Sequence, residues 1–94
     1  MKITFKFWGN EDKTVTVDFH HHTAEKVTDC MIDNLFSGRS YCTPQDQFCR
    51  ATGRKIALAR ALRNINVNKD MRRQIWKEYF KAIGKNYTQK TVTP

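Results

Sequence analysis

The sequence predicts an α+β fold: an antiparallel sheet of three to four strands from the N-terminal half, packed against two C-terminal α-helices. Three observations carry that expectation. Two runs of period-2 alternation flank a Gly/Asn/Asp turn within the first twenty residues. Thr43-Pro44-Gln45-Asp46 opens a long stretch with helical spacing. A second such stretch follows a short connection and stops at Gly84. Ninety-four residues, with 39% hydrophobic and 12% aromatic content, suit one small domain over residues 1–84. Residues 85–94 are polar and read as a flexible tail.

The elements follow in order. Ile3, Phe5 and Phe7 alternate with Lys2, Thr4 and Lys6, and Val15, Val17 and Phe19 alternate with Thr14, Thr16 and Asp18. With Gly9-Asn10-Glu11-Asp12 between them, they form an antiparallel hairpin with one buried face. Residues 23–42 admit two readings. Thr23 can cap a helix with Val27, Cys30, Met31 and Leu35 on one side and Gly38 as its stop. Alternatively Lys26–Asp33 is a third strand and Arg39–Cys42 a short fourth strand after a turn at Gly38. The strand reading is favoured, because Val, Thr, Asp and Cys are middling or poor helix formers and a lone hairpin is marginal.

Thr43 as cap, Pro44 at the first helical position and Asp46 in the first turn start a helix that runs to Arg63. Its core arc holds Phe48, Ala51, Ala59 and Leu62. Lys55 then falls inside the apolar arc, which calls for a break or a tight contact at Gly53, or for a lysine that snorkels to the rim. Asn66 or Asn68 caps the second helix, with Asp70 in its first turn. Met71, Ile75, Tyr79, Ala82 and Ile83 line its inner side, flanked by Trp76 and Phe80. The expected core combines Ile3, Phe5, Phe7, Val15, Val17, Phe19, Ile56, Leu62, Ile75, Phe80 and Ile83.

Charge divides the chain in two. After Thr43 there are twelve Lys/Arg against three Asp/Glu; up to Thr43 there are five against six. So lopsided a field steers a protein toward polyanions or acidic protein surfaces. Arg50 and Arg54 form an i,i+4 pair on the first helix, and Arg60, Arg63 and Lys55 add to it. Arg73, Lys77 and Lys81 repeat every four residues on the second helix. Two such stripes can track a phosphate backbone. The plainer alternative is a pair of solvated faces, but those usually mix signs. Trp8 lies on the polar face of the first strand beside Lys6, and Trp76 and Tyr79 lie near Arg73 and Lys77, where bases could stack. Tyr79 reads better as a core residue.

Other chemistry finds little support. His20, His21 and His22 with Cys30, Cys42 and Cys49 are zinc-type ligands, but their spacing pairs none of them as structural zinc sites do. An odd number of cysteines without a CxxC pair suits reduced thiols and a cytoplasmic setting. Cys42 or Cys49 with a histidine would make a nucleophile only if the fold joined them. Asp18, Asp29 and Asp33 read as surface acids. Gly9, Gly38, Gly53 and Gly84 stand alone, without a phosphate-binding loop. No stretch approaches the ~20 apolar residues of a membrane span, and MKITFKFW lacks a signal-peptide core. The expectation is a non-enzymatic chain with no metal and no cofactor.

Cys42, Pro44, Asp46 and Phe48, then Gly53-Arg54-Lys55, Ala57-Leu58, Arg60-Ala61-Leu62, and later Arg72, Trp76 and Tyr79 make a recognisable pattern. This segment resembles one that recurs in small bacteriophage-encoded accessory proteins. The resemblance covers roughly residues 42–80 and implies a protein acting in the host cytoplasm, on nucleic acid or a nucleic-acid-bearing host complex. It assigns no catalytic role. The alternative it implies is a phage inhibitor of a host enzyme or defence system, of the anti-CRISPR kind, docking on an acidic protein surface. A small zinc module or Cys/His enzyme is the remaining alternative.

Overall fold

The computed structural model describes residues 1–7, 10–43 and 47–84. Its elements are β1 (Lys2–Phe7), β2 (Asn10–His22), β3 (Val27–Ile32), β4 (Leu35–Tyr41), α1 (Arg50–Asn64) and α2 (Lys69–Ala82). The four strands form one antiparallel sheet in the order β1-β2-β3-β4. Both helices cover one face of it, α1 over β3 and β4 and α2 beside β1. This is the α+β architecture that the sequence predicts.

The first hairpin follows from alternation: Ile3, Val15, Val17 and Phe19 point to the helices and are almost fully buried. Trp8 and the Gly9 turn lie outside the described residues. The ambiguous stretch is strand, not helix. Only Thr23–Glu25 makes a single 3-10 turn, closed by Lys26 in the left-handed region at φ 55°. The next turn is Asp33-Asn34, with φ 53° and 66°, the two positive values of a tight hairpin turn. Gly38 is therefore not a turn. It sits inside β4, just past a bulge that shifts the register between Cys30 and Met31 of β3.

Gly38 is inside the strand because α1 comes too close for a side chain. A Cβ there would stand 2.4 Å from the Ala57 carbonyl oxygen and 2.5 Å from the Ala61 nitrogen. Gly53 plays the same part from the helix side, where a Cβ would stand 2.5 Å from Thr28 Oγ1. The buried stripe of α1 is accordingly Gly53, Ala57, Leu58, Ala61 and Leu62. This corrects the expected arc: Ala51 and Ala59 are exposed and Phe48 is half-buried. The small residues, which read as neutral in sequence, are the ones that let the helix axis approach the sheet. With this phase Lys55 lies on the flank of the stripe, about 110° from its centre, and is exposed, so its charge stays in solvent. The helix runs through Gly53 without a break, so the tight contact is the explanation that holds.

The start of α1 also differs from expectation. Its N-cap is Cys49, in extended conformation, and residues 47–49 precede the helix without joining it. Thr43 is thus not the cap; Pro44–Asp46 lie outside the described residues. Phe48 is held instead by its ring contact with His21, centroids 5.9 Å apart.

The second helix matches its reading more closely. Asn68 is the N-cap, its Oδ1 accepting from the Met71 N–H at 2.8 Å. Ile83 ends the helix and Gly84 follows at φ 80°, the left-handed residue of a common helix stop. Ile75, Tyr79 and Phe80 are buried, while Ala82 is exposed. Tyr79 reaches Phe19 on β2, ring centroids 5.6 Å apart, and Trp76 stacks on Phe80 at 5.7 Å. From the expected core, Phe5, Phe7 and Ile83 are half-buried, and Ile56 is exposed because it lies off the α1 stripe.

Both sheet edges are covered from the helices. Arg60 Nη1 donates to the Arg39 carbonyl at 2.9 Å and Asn64 Nδ2 to the Ser37 carbonyl at 2.8 Å, on β4. Gln74, itself buried, donates from Nε2 to the Lys6 carbonyl on β1 at 2.9 Å. Occupied edge carbonyls blunt the tendency of an edge strand to pair with another chain. None of the described helices is long and apolar enough to cross a membrane.

Candidate functional site

The predicted basic residues separate into three groups, with Lys55 apart from them. Arg50 and Arg54 stand in the first turns of α1, about 20 and 15 Å along the axis from its end. There they face His21, whose Nδ1 shares a hydrogen bond with Thr28 Oγ1 at 2.9 Å. Burial first, and then the charges of Arg54 and Arg50, hold the His21 imidazole below its ordinary pKa. Arg54 is only half-exposed, and its Nε is buried without a protein partner, as is His21 Nε2.

Arg60 and Arg63 stand at the other end of α1. Arg63 lines two neighbouring depressions. One is a cleft of about 410 Å³ at the β4 edge, shared with Phe36, Arg39, Tyr41, Arg60 and Asn64. The other is a groove of about 270 Å³ between the helices, shared with Arg72 and Trp76. Arg39, Arg60, Arg63 and Arg72 therefore form a track from the edge of β4 across α1 to α2. Arg73, Lys77 and Lys81 continue along an exposed face of α2 by their four-residue spacing. Lys55 is exposed on α1. Trp8 lies outside the described residues.

The ion pairs seen in the structure lie on the open face of the sheet. Asp29 accepts from Arg39 Nε and, at 3.1 Å, from Arg39 Nη2, and His22 Nε2 stands 2.9 Å from its Oδ2. His20 pairs with Asp18 at 3.2 Å. The Arg39 hydrogen bonds hold the Asp29 carboxyl below the usual range against the opposing effect of burial. Asp29 in turn, and then Tyr41, raise Arg39. This carboxylate is locked in an ion pair and is poorly placed to move protons. Among the described residues, Lys55, Arg63, Arg72, Arg73 and Lys81 make no ion pair. The helices supply only Asp70 and Glu78 against them.

The thiols are placed apart by environment. Cys30 is fully buried, and desolvation pushes its pKa up to about 12. Cys49 is exposed, accepts from Thr52 Oγ1 at 3.3 Å, and is lowered by that hydrogen bond. It lines a cavity of about 420 Å³ with Cys42, Tyr41, Phe48 and Ile56. His21 touches Phe48 and Thr28. No cluster of three His, Cys, Asp or Glu side chains able to hold a metal ion occurs among the described residues.

The reading of the sequence missed Phe36, Arg39, Tyr41 and Arg72 as site residues. Arg39 and Tyr41 share one face of β4, and that face is legible only once Gly38 is seen to lie within the strand. No family model matches the chain, and no curated protein and no solved structure matches it at a significant level.

Proposed function

We propose that the chain is a non-enzymatic binding protein, a small phage-type accessory factor whose basic helical face engages nucleic acid or a nucleoprotein complex in the host cytoplasm. The observation that carries this reading is that Lys55, Arg63, Arg72, Arg73 and Lys81 are exposed on α1 and α2 and make no ion pair among the described residues, with Arg63 and Arg72 converging on one groove. Bases intended only for solubility are usually interspersed with acids. Phosphates reward a run of one sign, because each neutralised phosphate releases counterions. Arginine also binds phosphate oxygens through two parallel N–H donors.

Changing Arg63, Arg72, Arg73 and Lys81 together to Gln tests this. All four are exposed, so circular dichroism and melting temperature are expected to stay near those of the parent. Affinity for nucleic acid at low salt is expected to fall well over tenfold. A variant that binds as before would leave the helical face a solvated surface. A partner captured from host lysate that survives nuclease treatment would instead favour a protein target.

A further inference from the structure

We infer that the bound nucleic acid is single-stranded and that one of its bases is seated in the cleft at the β4 edge, against Phe36 and Tyr41. This rests on the nucleic-acid reading above and makes it more specific. Phe36 and Tyr41 are 58% and 68% exposed, and Leu35 beside Phe36 at the β3–β4 turn is exposed as well. Two large aromatics left open beside three arginines are an unusual use of apolar surface, and they border one cleft of about 410 Å³. That volume is within the usual range of small-ligand pockets.

The cleft is built rather than incidental. The Arg39 guanidinium is fixed by Asp29 and lies over the Phe36 ring, 5.4 Å from its centroid. Its charge is already paired, so it offers a flat stacking surface rather than a phosphate ligand. On the α1 side, Arg60 is held by its bond to the Arg39 carbonyl, and Asn64 by its bond to the Ser37 carbonyl. Arg60 uses one of five N–H donors in that bond. The rest, with those of Arg63, are available to phosphate oxygens. Aromatic rings from β4 and phosphate donors from α1 thus border the same cleft, as a nucleotide with its base and phosphate requires.

A duplex does not fit this arrangement. Its base faces are covered by their neighbours, and only an unstacked base presents its face to an aromatic ring. From the cleft, the groove with Arg63 and Arg72 lies across α1 on its α2 side and can receive the next phosphate.

The test uses the full chain with oligothymidylate, oligouridylate and a duplex of equal length. In the double variant Phe36→Leu/Tyr41→Leu, apolar bulk stays and the ring faces go. Single-strand affinity is expected to fall by roughly tenfold or more while the slope of affinity against salt stays the same, since no phosphate contact is lost. Duplex affinity is expected to be weak in the parent and unchanged in the variant. The thymidylate and uridylate arms decide whether DNA or RNA is preferred. In the unaltered chain, photocrosslinking to a strand carrying iodouracil is expected to map to Phe36 or Tyr41, which does not depend on the variant folding. Unchanged single-strand binding by the variant, preference for the duplex, or crosslinks confined to α2 would each overturn the inference while the basic-face reading stands. Binding to none of the three probes would overturn both.

Discussion

Gly38 and Gly53 set the distance between α1 and the sheet, and they are not equivalent. A methyl group on Gly38 would meet only backbone, the Ala57 carbonyl and the Ala61 nitrogen and Cα, none of which can turn aside. On Gly53 it would meet Thr28 Oγ1, at the end of a β-branched buried side chain already bonded to His21. Gly53→Ala gains up to ~1 kcal/mol of helix propensity, against ~1–3 kcal/mol for overpacking. We expect it to destabilise by about 1 kcal/mol, and Gly38→Ala by about 3 kcal/mol or more. Urea unfolding of both variants checks the order, and a stabilised Gly53→Ala would show that the contact is slack. Titratable residues give a second expectation. Unfolded His21 takes up a proton below about pH 6.5, which the folded state resists, so stability falls as pH drops through that value. Asp29, lowered in the fold, loses its contribution only below about pH 4. Melting temperature measured between neutral and acid pH is expected to show the upper step, and His21→Gln to flatten it. An unchanged step in that variant would contradict the assignment.

At the level of elements, legibility followed the strength of the local signal. β1 and β2 were readable because each has one buried face and therefore strict alternation. β3 is buried along nearly its whole length on both faces, so Val27–Ile32 carries no period, and helix and strand stayed open. α1 was readable as a helix but not in phase. Its contact stripe is made of Gly53, Ala57 and Ala61, which carry almost no hydropathy, while Phe48 and Ala51 drew the arc the wrong way. The covered edges could not be foreseen, since Gln74 to Lys6 spans most of the chain. The ends of α2 were legible because capping chemistry is local. Asn68→Ala should therefore cost about 1 kcal/mol, and Asn68→Asp much less. Equal stability of the alanine variant and the parent would mean that water replaces the cap at no cost.

Across the whole molecule, acids and bases are sorted by layer. The sheet holds Asp18 and Asp29 in pairs with His20, His22 and Arg39, while the helix layer carries the exposed lysines and arginines with little to oppose them. That polarity was legible as a split between the halves of the sequence. The path across it was not, because Arg39, Arg60, Arg63 and Arg72 are brought together only by the packing of α1 on β4 and beside α2. The measurement that bears most directly on a nucleic-acid role is the dependence of affinity on salt for the unaltered chain and a single-stranded oligonucleotide. With four to six phosphates neutralised, the logarithm of the binding constant is expected to fall with the logarithm of salt concentration with a slope of about −3 to −4. A slope near zero, or no binding at the lowest salt, would contradict the account.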